Sequence, residues 1–128
     1  MDIRRVTGFE AVEAAGHLFA AVPERQATER FLADEAHHLL IAYAGDVPAG
    51  MVTGVETTHP GTGTEMFLYE IGVADGFRGQ GIDRALVSAL GRLARERGCR
   101  GLWTATGKRP GEAAREEADG MSEWDQAV

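Results

Sequence analysis

The chain has 128 residues, enough for one domain with its own core and too few for two. Hydrophobic residues make up 44% and charged residues 26%, the balance of a soluble globular protein, and no apolar run approaches the roughly 20 residues of a membrane span. A net charge of -7 opposes nucleic acid as a partner and suits a polyamine or other cationic substrate, while the single cysteine, Cys99, excludes an internal disulfide or a cysteine zinc cluster.

The start, Met1-Asp2-Ile3-Arg4-Arg5, runs into mixed polar sequence without the apolar segment and cleavage site of a signal peptide, which favours the cytoplasm. Residues 2–6 suit a short first strand. Phe9, Val12, Ala15, Leu18 and Phe19 then recur at helical spacing, predicting a helix that stops near Pro23, and residues 24–35 suggest a second. The segment 38–44, the pair Gly45-Asp46 and the residues from Val47 to Thr57 read as strand, tight turn, strand. Residues 58–64, with His59, Pro60, Gly61 and Gly63, suit a loop. Met66-Phe67-Leu68-Tyr69-Glu70-Ile71-Gly72-Val73 is a third long strand, and Gly72 marks a bulge or a close backbone approach. Strict alternation along it points Glu70 away from Tyr69 and Ile71.

After a turn over residues 74–82, Ala85, Leu86, Ala89, Leu90, Leu93 and Ala94 form one apolar face of a helix, with arginines on the rest and Gly98 as its stop. Residues 100–106 with Leu102 and Trp103 suit another strand, so residues 66–106 read as strand, glycine-rich turn, helix, strand, a unit that implies a parallel pair. Residues 107–128 contain no Leu, Ile or Phe and could support at most a weak helix over 111–118. The expected division is a folded core over residues 1–106 and an acidic tail over 107–128.

The most informative segment is Phe77-Arg78-Gly79-Gln80-Gly81-Ile82-Asp83, because it opens a helix straight after a strand. The first N–H groups of a helix lack helical partners and the aligned peptides leave about half a positive charge there, so a phosphate collects several hydrogen bonds. Glycine lets the phosphate approach. The plain alternative is a tight connection that binds nothing. A nucleotide P-loop needs Gly-Lys followed by Ser or Thr, whereas Gly107-Lys108 precedes Arg109. A dinucleotide fold would want a glycine where Arg84 stands and an earlier place in the chain.

The strand ending Ile71-Gly72-Val73 and the turn Arg78-Gly79-Gln80-Gly81-Ile82-Asp83-Arg84-Ala85-Leu86 resemble the coenzyme A signature of the GNAT (GCN5-related) N-acetyltransferases. Arg78 and Gly81 match the pattern, and Asp83 departs from it where Gly or Ala is usual. The resemblance implies an α/β (α+β) fold with a mixed, mostly antiparallel central sheet, flanking helices and a splayed parallel strand pair, lacking the usual C-terminal strands. It implies acetyl-coenzyme A as cosubstrate and no metal. By position, the backbone of Ile71, Gly72 and Val73 would meet pantetheine, that of Arg78, Gly79, Gln80, Gly81, Ile82 and Asp83 the pyrophosphate, and Arg84 the 3′-phosphate.

In that family the acceptor amine attacks the thioester directly, so an ammonium must lose a proton. A lysine-like amine is neutral about once in 2,500 molecules at pH 7, a cost of roughly 4.6 kcal/mol. Glu70 is the candidate base, provided burial or a relaying water helps a carboxylate of ordinary pKa near 4.3. The plain alternative is an exposed strand carboxylate. Tyr69-Glu70 also resembles the aromatic-acid pair of aminoglycoside 3-N-acetyltransferases, whose polycationic substrates would suit Glu56, Glu65 and Glu70. His37 and His38 leave a strand on opposite faces and find no third metal ligand. The arginines at 84, 92, 95 and 97 read as a solvated face, and Leu102, Trp103 and Cys99 as core.

No tyrosine follows Tyr69, so the family's usual acid for the leaving thiolate has no match, and an exposed sheet edge would favour a homodimer. Two functions follow. One is an N-acetyltransferase acting on a primary amine of a small molecule, aminoglycoside-like or not, or of a peptide. The other is a degenerate member that binds acyl-coenzyme A or a protein partner without catalysis.

Overall fold

Alternating and β-branched residues build strands β1 (Asp2–Arg5), β2 (His37–Ala44), β3 (Val47–His59), β4 (Gly63–Val73) and β5 (Leu102–Thr104) in the computed structural model, which describes residues 1–105. The strands lie side by side in chain order. Pairs β1/β2, β2/β3 and β3/β4 are antiparallel, and β4/β5 is parallel over only Met66↔Leu102, Phe67↔Trp103 and Leu68↔Thr104. This mixed, mostly antiparallel sheet with one parallel pair is the architecture expected from the sequence. The expected lack of further C-terminal strands and the weak helix over 111–118 concern residues outside those described.

Three helices cover the sheet: α1 (Phe9–Ala14), α2 (Arg25–Ala33) and α3 (Ile82–Glu96). The apolar stripe of α3, carried by Ile82, Leu86, Leu90 and Ala94, packs on Leu40, Val52, Met66 and Leu68 of one sheet face. On the other face Val12, Ala15 and Leu18 cover Leu39, Ile41 and Met51. Burying each of these large side chains contributes roughly 1.5–3 kcal/mol. Two layers of helix therefore sandwich one sheet.

Local chemistry sets the ends of these elements. Gly98, at φ +80°, closes α3, with the Gly98 N–H bonded to the Arg95 carbonyl (3.0 Å) and the Cys99 N–H to the Ala94 carbonyl (2.9 Å), a paired closure that satisfies two terminal carbonyls. The expected single helix through Phe19 instead breaks after Ala14 into a 3-10 turn, Gly16–Leu18. The expected loop over 58–64 is tighter than predicted: β3 runs to His59, β4 starts at Gly63, and the Thr58 and Thr64 hydroxyls join at 2.8 Å. Cys99 packs against the α3 core, and burial pushes its thiol up to about 11.

His37 and His38 do leave β2 on opposite faces. His38 is buried on the α3 side, where an Arg5 N–H meets its Nδ1 at 2.9 Å and Glu56 Oε2 lies 2.7 Å from its Nε2. Since arginine can only donate, Nδ1 accepts and Nε2 carries the proton toward Glu56. Arg97 Nε donates to the same Glu56 oxygen at 2.6 Å. Arg97 thus leaves the solvated face expected of it and ties the end of α3 to β3. Burial holds His38 below the usual imidazole range, with the Arg5 and Arg97 charges adding to the shift against the Glu56 hydrogen bond. Burial alone would raise Glu56, but its bonds from Arg97 and His38 prevail and lower it.

Candidate active site

The register of β3 against β4 slips between Thr53 and Gly54: Thr53 pairs with Glu70 and Gly54 with Leu68, leaving Tyr69 as the extra residue of a bulge. Met66 and Leu68 point to the α3 face. Simple alternation would put Glu70 there too, in the apolar core. The bulge turns it to the opposite face, with Thr53, and the Thr53 hydroxyl accepts the Glu70 N–H at 3.1 Å. Tyr69, 74% exposed, and Glu70 consequently border one cavity rather than opposite faces. This differs from the alternation read in the sequence, and the extra residue is the reason.

Glu70 is held in place from across the cavity. The Ala20 N–H, just past the 3-10 turn, donates to Glu70 Oε2 at 2.8 Å. The turn lies over Gly72 so closely that a Cβ on Gly72 would sit 2.3 Å from the Leu18 carbonyl oxygen. Gly72 therefore marks a close backbone approach. The cavity has a volume of about 360 Å³ and is lined by Phe19, Phe31, His37, Thr53, Gly54, Val55, Tyr69 and Glu70. Of the three acids expected to suit a cation, Glu70 alone lines it: Glu56 is committed to His38 and Arg97 on the other face.

A second cavity, of about 380 Å³, opens where β4 meets α3. Ile71, Gly72, Val73, Arg78, Gly79, Ile82 and Asp83 line it, together with Phe77. Gln80, Gly81 and Arg84 belong to the same turn and first helical turn without lining the cavity. Gly79 and Gly81 take φ +78° and +79°, a region that side-chain-bearing residues rarely adopt, and this conformation folds the turn back so that α3 begins beside the end of β4. Gly81 is the N-cap and no side chain caps α3, so Asp83 does not act as the cap. Its carboxylate sits in the first turn, beside the N–H groups an anion would use. Arg78 Nε donates to Asp75 at 3.0 Å on the exposed rim.

The two cavities adjoin along β4, Glu70 lining one and Ile71, Gly72 and Val73 the other. Beyond Leu68 and Thr104 the parallel pair ends, leaving one side of Tyr69–Val73 without a strand neighbour among the described residues. An extended chain carrying amides fits such a gap. The helix start, the opened parallel pair and the carboxylate-bearing bulge thus lie together at one end of β4.

The chain belongs to the acetyltransferase (GNAT) family, whose model matches residues 9–116. Transfer of an acetyl group from acetyl-coenzyme A to an amine is accordingly its reaction. No curated protein matches the chain. Solved structures with the same fold include a ribosomal-protein-alanine N-acetyltransferase from Brucella melitensis biovar Abortus 2308, with 26% identity, TM-score 0.71, and 91% of this chain and 87% of that one covered. The aminoglycoside N-acetyltransferase AAC(6′)-Iy in complex with CoA has 23% identity and TM-score 0.69, with 93% and 87% covered. The apo aminoglycoside 6′-N-acetyltransferase AAC(6′)-IG from Acinetobacter haemolyticus has 18% identity and TM-score 0.72, with 86% and 82% covered.

Sequence reasoning missed Phe19, Phe31, His37, Thr53 and the Ala20 N–H. Phe19 reads as helix core, Phe31 lies in the second expected helix without a mark of its own, and His37 reads only as half of an incomplete metal pair. No group of metal-binding side chains occurs among the described residues, and none of their helices is long and apolar enough to cross a membrane.

Proposed function

We propose that the acceptor is a primary amine of a small molecule or a peptide, that Glu70 receives the proton its ammonium loses, and that Tyr69 walls the acceptor's approach. The bulge at Tyr69 carries this reading, because it moves a carboxylate out of the core face and onto the cavity beside the coenzyme cleft. The amine nitrogen then attacks the thioester carbonyl, the N–C bond forms and the C–S bond breaks. Glu70 takes the ammonium proton before attack, directly or through one water, and the proton the nitrogen sheds after attack passes through water to the departing thiolate. Holding both substrates in line supplies much of the rate, and the positioned base contributes a further factor of roughly 10²–10⁴.

For the donor, the backbone of Ile71, Gly72 and Val73 would pair with pantetheine, the turn from Arg78 through Gly79, Gln80, Gly81 and Ile82 to Asp83 would receive the pyrophosphate, and Arg84 would reach the 3′-phosphate. Aminoglycosides, the substrates named for two of the structural neighbours, and peptide amines both fall within the acceptor class. A cytoplasmic setting accords with a single free cysteine.

Calorimetric titration with acetyl-coenzyme A tests the donor half: micromolar binding is expected, and an Arg78→Ala, Gly81→Asp double variant should lose it. A folded parent protein that binds no acetyl-coenzyme A would sink the proposal. Release of free coenzyme A in the presence of amines tests the acceptor half. Glu70→Gln should lower kcat at least 100-fold with acetyl-coenzyme A affinity unchanged.

A further inference from the structure

The acceptor cavity is mostly apolar. Phe19, Phe31, Val55 and the Tyr69 ring form its walls, and Glu70 supplies the one lining carboxylate among the described residues. A polycation bound there would bring further ammonium groups against a lining that has no second carboxylate among the described residues, at a cost of several kcal/mol for each one desolvated. One ammonium on an apolar body matches the lining.

Of the other polar side chains on the lining, Thr53 is bonded to the Glu70 N–H and Tyr69 stands next to Glu70 on β4, which leaves His37 on β2. Its position is fixed by two neighbours. Asp34 closes the turn after α2, accepting the Ala36 N–H on Oδ1 at 2.9 Å, and its Oδ2 faces His37 Nδ1 at 3.1 Å. That contact is close without the alignment of a hydrogen bond, and Nδ1 is buried against it. The Phe31 ring tilts against the imidazole at 5.2 Å between centroids. With Nδ1 buried against Asp34, the other edge of the ring is left to border the cavity.

His37 and Glu70 stand at opposite ends of this cavity. His37 pairs with Val55 across β2/β3 and Glu70 with Thr53 across β3/β4. Two strand spacings across and two residues along place their Cα atoms roughly 12 Å apart. Both side chains face the same side of the sheet, so a small acceptor can span what their lengths leave open. A two-carbon amine on an aromatic ring with a hydroxyl at the far side has this shape.

We infer that His37, braced by Asp34, determines acceptor specificity, and that the site takes amines with one ammonium group, an aromatic or apolar body and a hydrogen-bonding group at the far end. The inference rests on the acetyl transfer proposed above. Glu70 meets the ammonium, the phenyl and tyrosyl rings clasp the body, and the imidazole receives the distal hydroxyl.

The test compares tyramine, phenethylamine and tobramycin as acceptors with the intact protein and saturating acetyl-coenzyme A. Tyramine is expected to have the highest kcat/KM. His37→Ala should raise its KM about five- to tenfold, the worth of one hydrogen bond, and raise the KM for phenethylamine by clearly less. His37→Gln, which keeps an acceptor atom, should recover part of the loss. Preference for tobramycin overturns the inference, as does an equal loss with tyramine and phenethylamine in His37→Ala, or an absence of turnover with all three amines. Whether the proposed function falls too is read separately: acetyl-coenzyme A binding to the parent protein leaves its donor half standing, and a folded protein without it removes both.

Discussion

Replacing Gly72 with alanine adds one methyl group where the 3-10 turn crosses β4. The new Cβ would lie 2.3 Å from the Leu18 carbonyl oxygen, against the 3.4 Å or more of an ordinary contact. A backbone oxygen has no rotamer to escape into, so the turn or the strand must move by about 1 Å, an overpacking cost of typically 1–3 kcal/mol. For a domain of this size that is a fall in Tm of roughly 5–15 °C. Ala20 follows the turn by two residues, so its N–H leaves Glu70 Oε2 and the KM for the amine should rise as well. Thermal unfolding followed by circular dichroism, with Gly76→Ala alongside, reads the first effect: a Cβ at Gly76 meets nothing within 4 Å, and that variant should melt with the parent. Equal melting of Gly72→Ala and the parent, with the amine KM unchanged, would refute the account of the turn as a brace for Glu70.

Asp83→Ala removes a carboxylate from the coenzyme cavity and should tighten acetyl-coenzyme A binding about three- to tenfold by titration, at low salt most of all, while slightly lowering Tm through loss of a favourable helix-start charge. His38 gives a pH dependence of definite sign. Its folded pKa lies below 6.5, so as pH falls through 6.5 the unfolded chain binds the proton first and stability drops until the folded value is passed. Tm should be flat above about pH 7 and decline as pH falls below 6.5, and His38→Gln should flatten that decline. Glu56, with its ordinary value of 4.5 also lowered, contributes in the same direction only at more acid pH, which keeps the two groups apart in a titration.

The hairpin, the long β4, the turn at 77–83 and α3 with its glycine stop were legible because each is written in local chemistry: period-two or period-3.6 apolar residues bounded by Gly or Pro. The bulge was not. Tyr69 has no glycine or other mark, and the strand around it alternates smoothly, so the face that Glu70 occupies is decided by pairing with Thr53 seventeen residues upstream in the chain. The break of the first helix has a similar origin, since the carbonyl of Leu18 has to cross a strand that lies far ahead in the sequence. Arg97 looked like one more solvent-facing arginine. Its partners Glu56 and His38 come from two other elements, and no window around residue 97 contains them.

That last cluster bears on how the coenzyme end works. The helix α3 presents its electropositive start to the donor cleft, and its opposite end is lashed to β2 and β3 through Arg97, Glu56 and His38. A dipole anchored at its tail cannot swing when an anion arrives at its head. The field at the cleft is therefore set at folding, and on the proposed reading a pyrophosphate would need little further ordering of the helix that receives it.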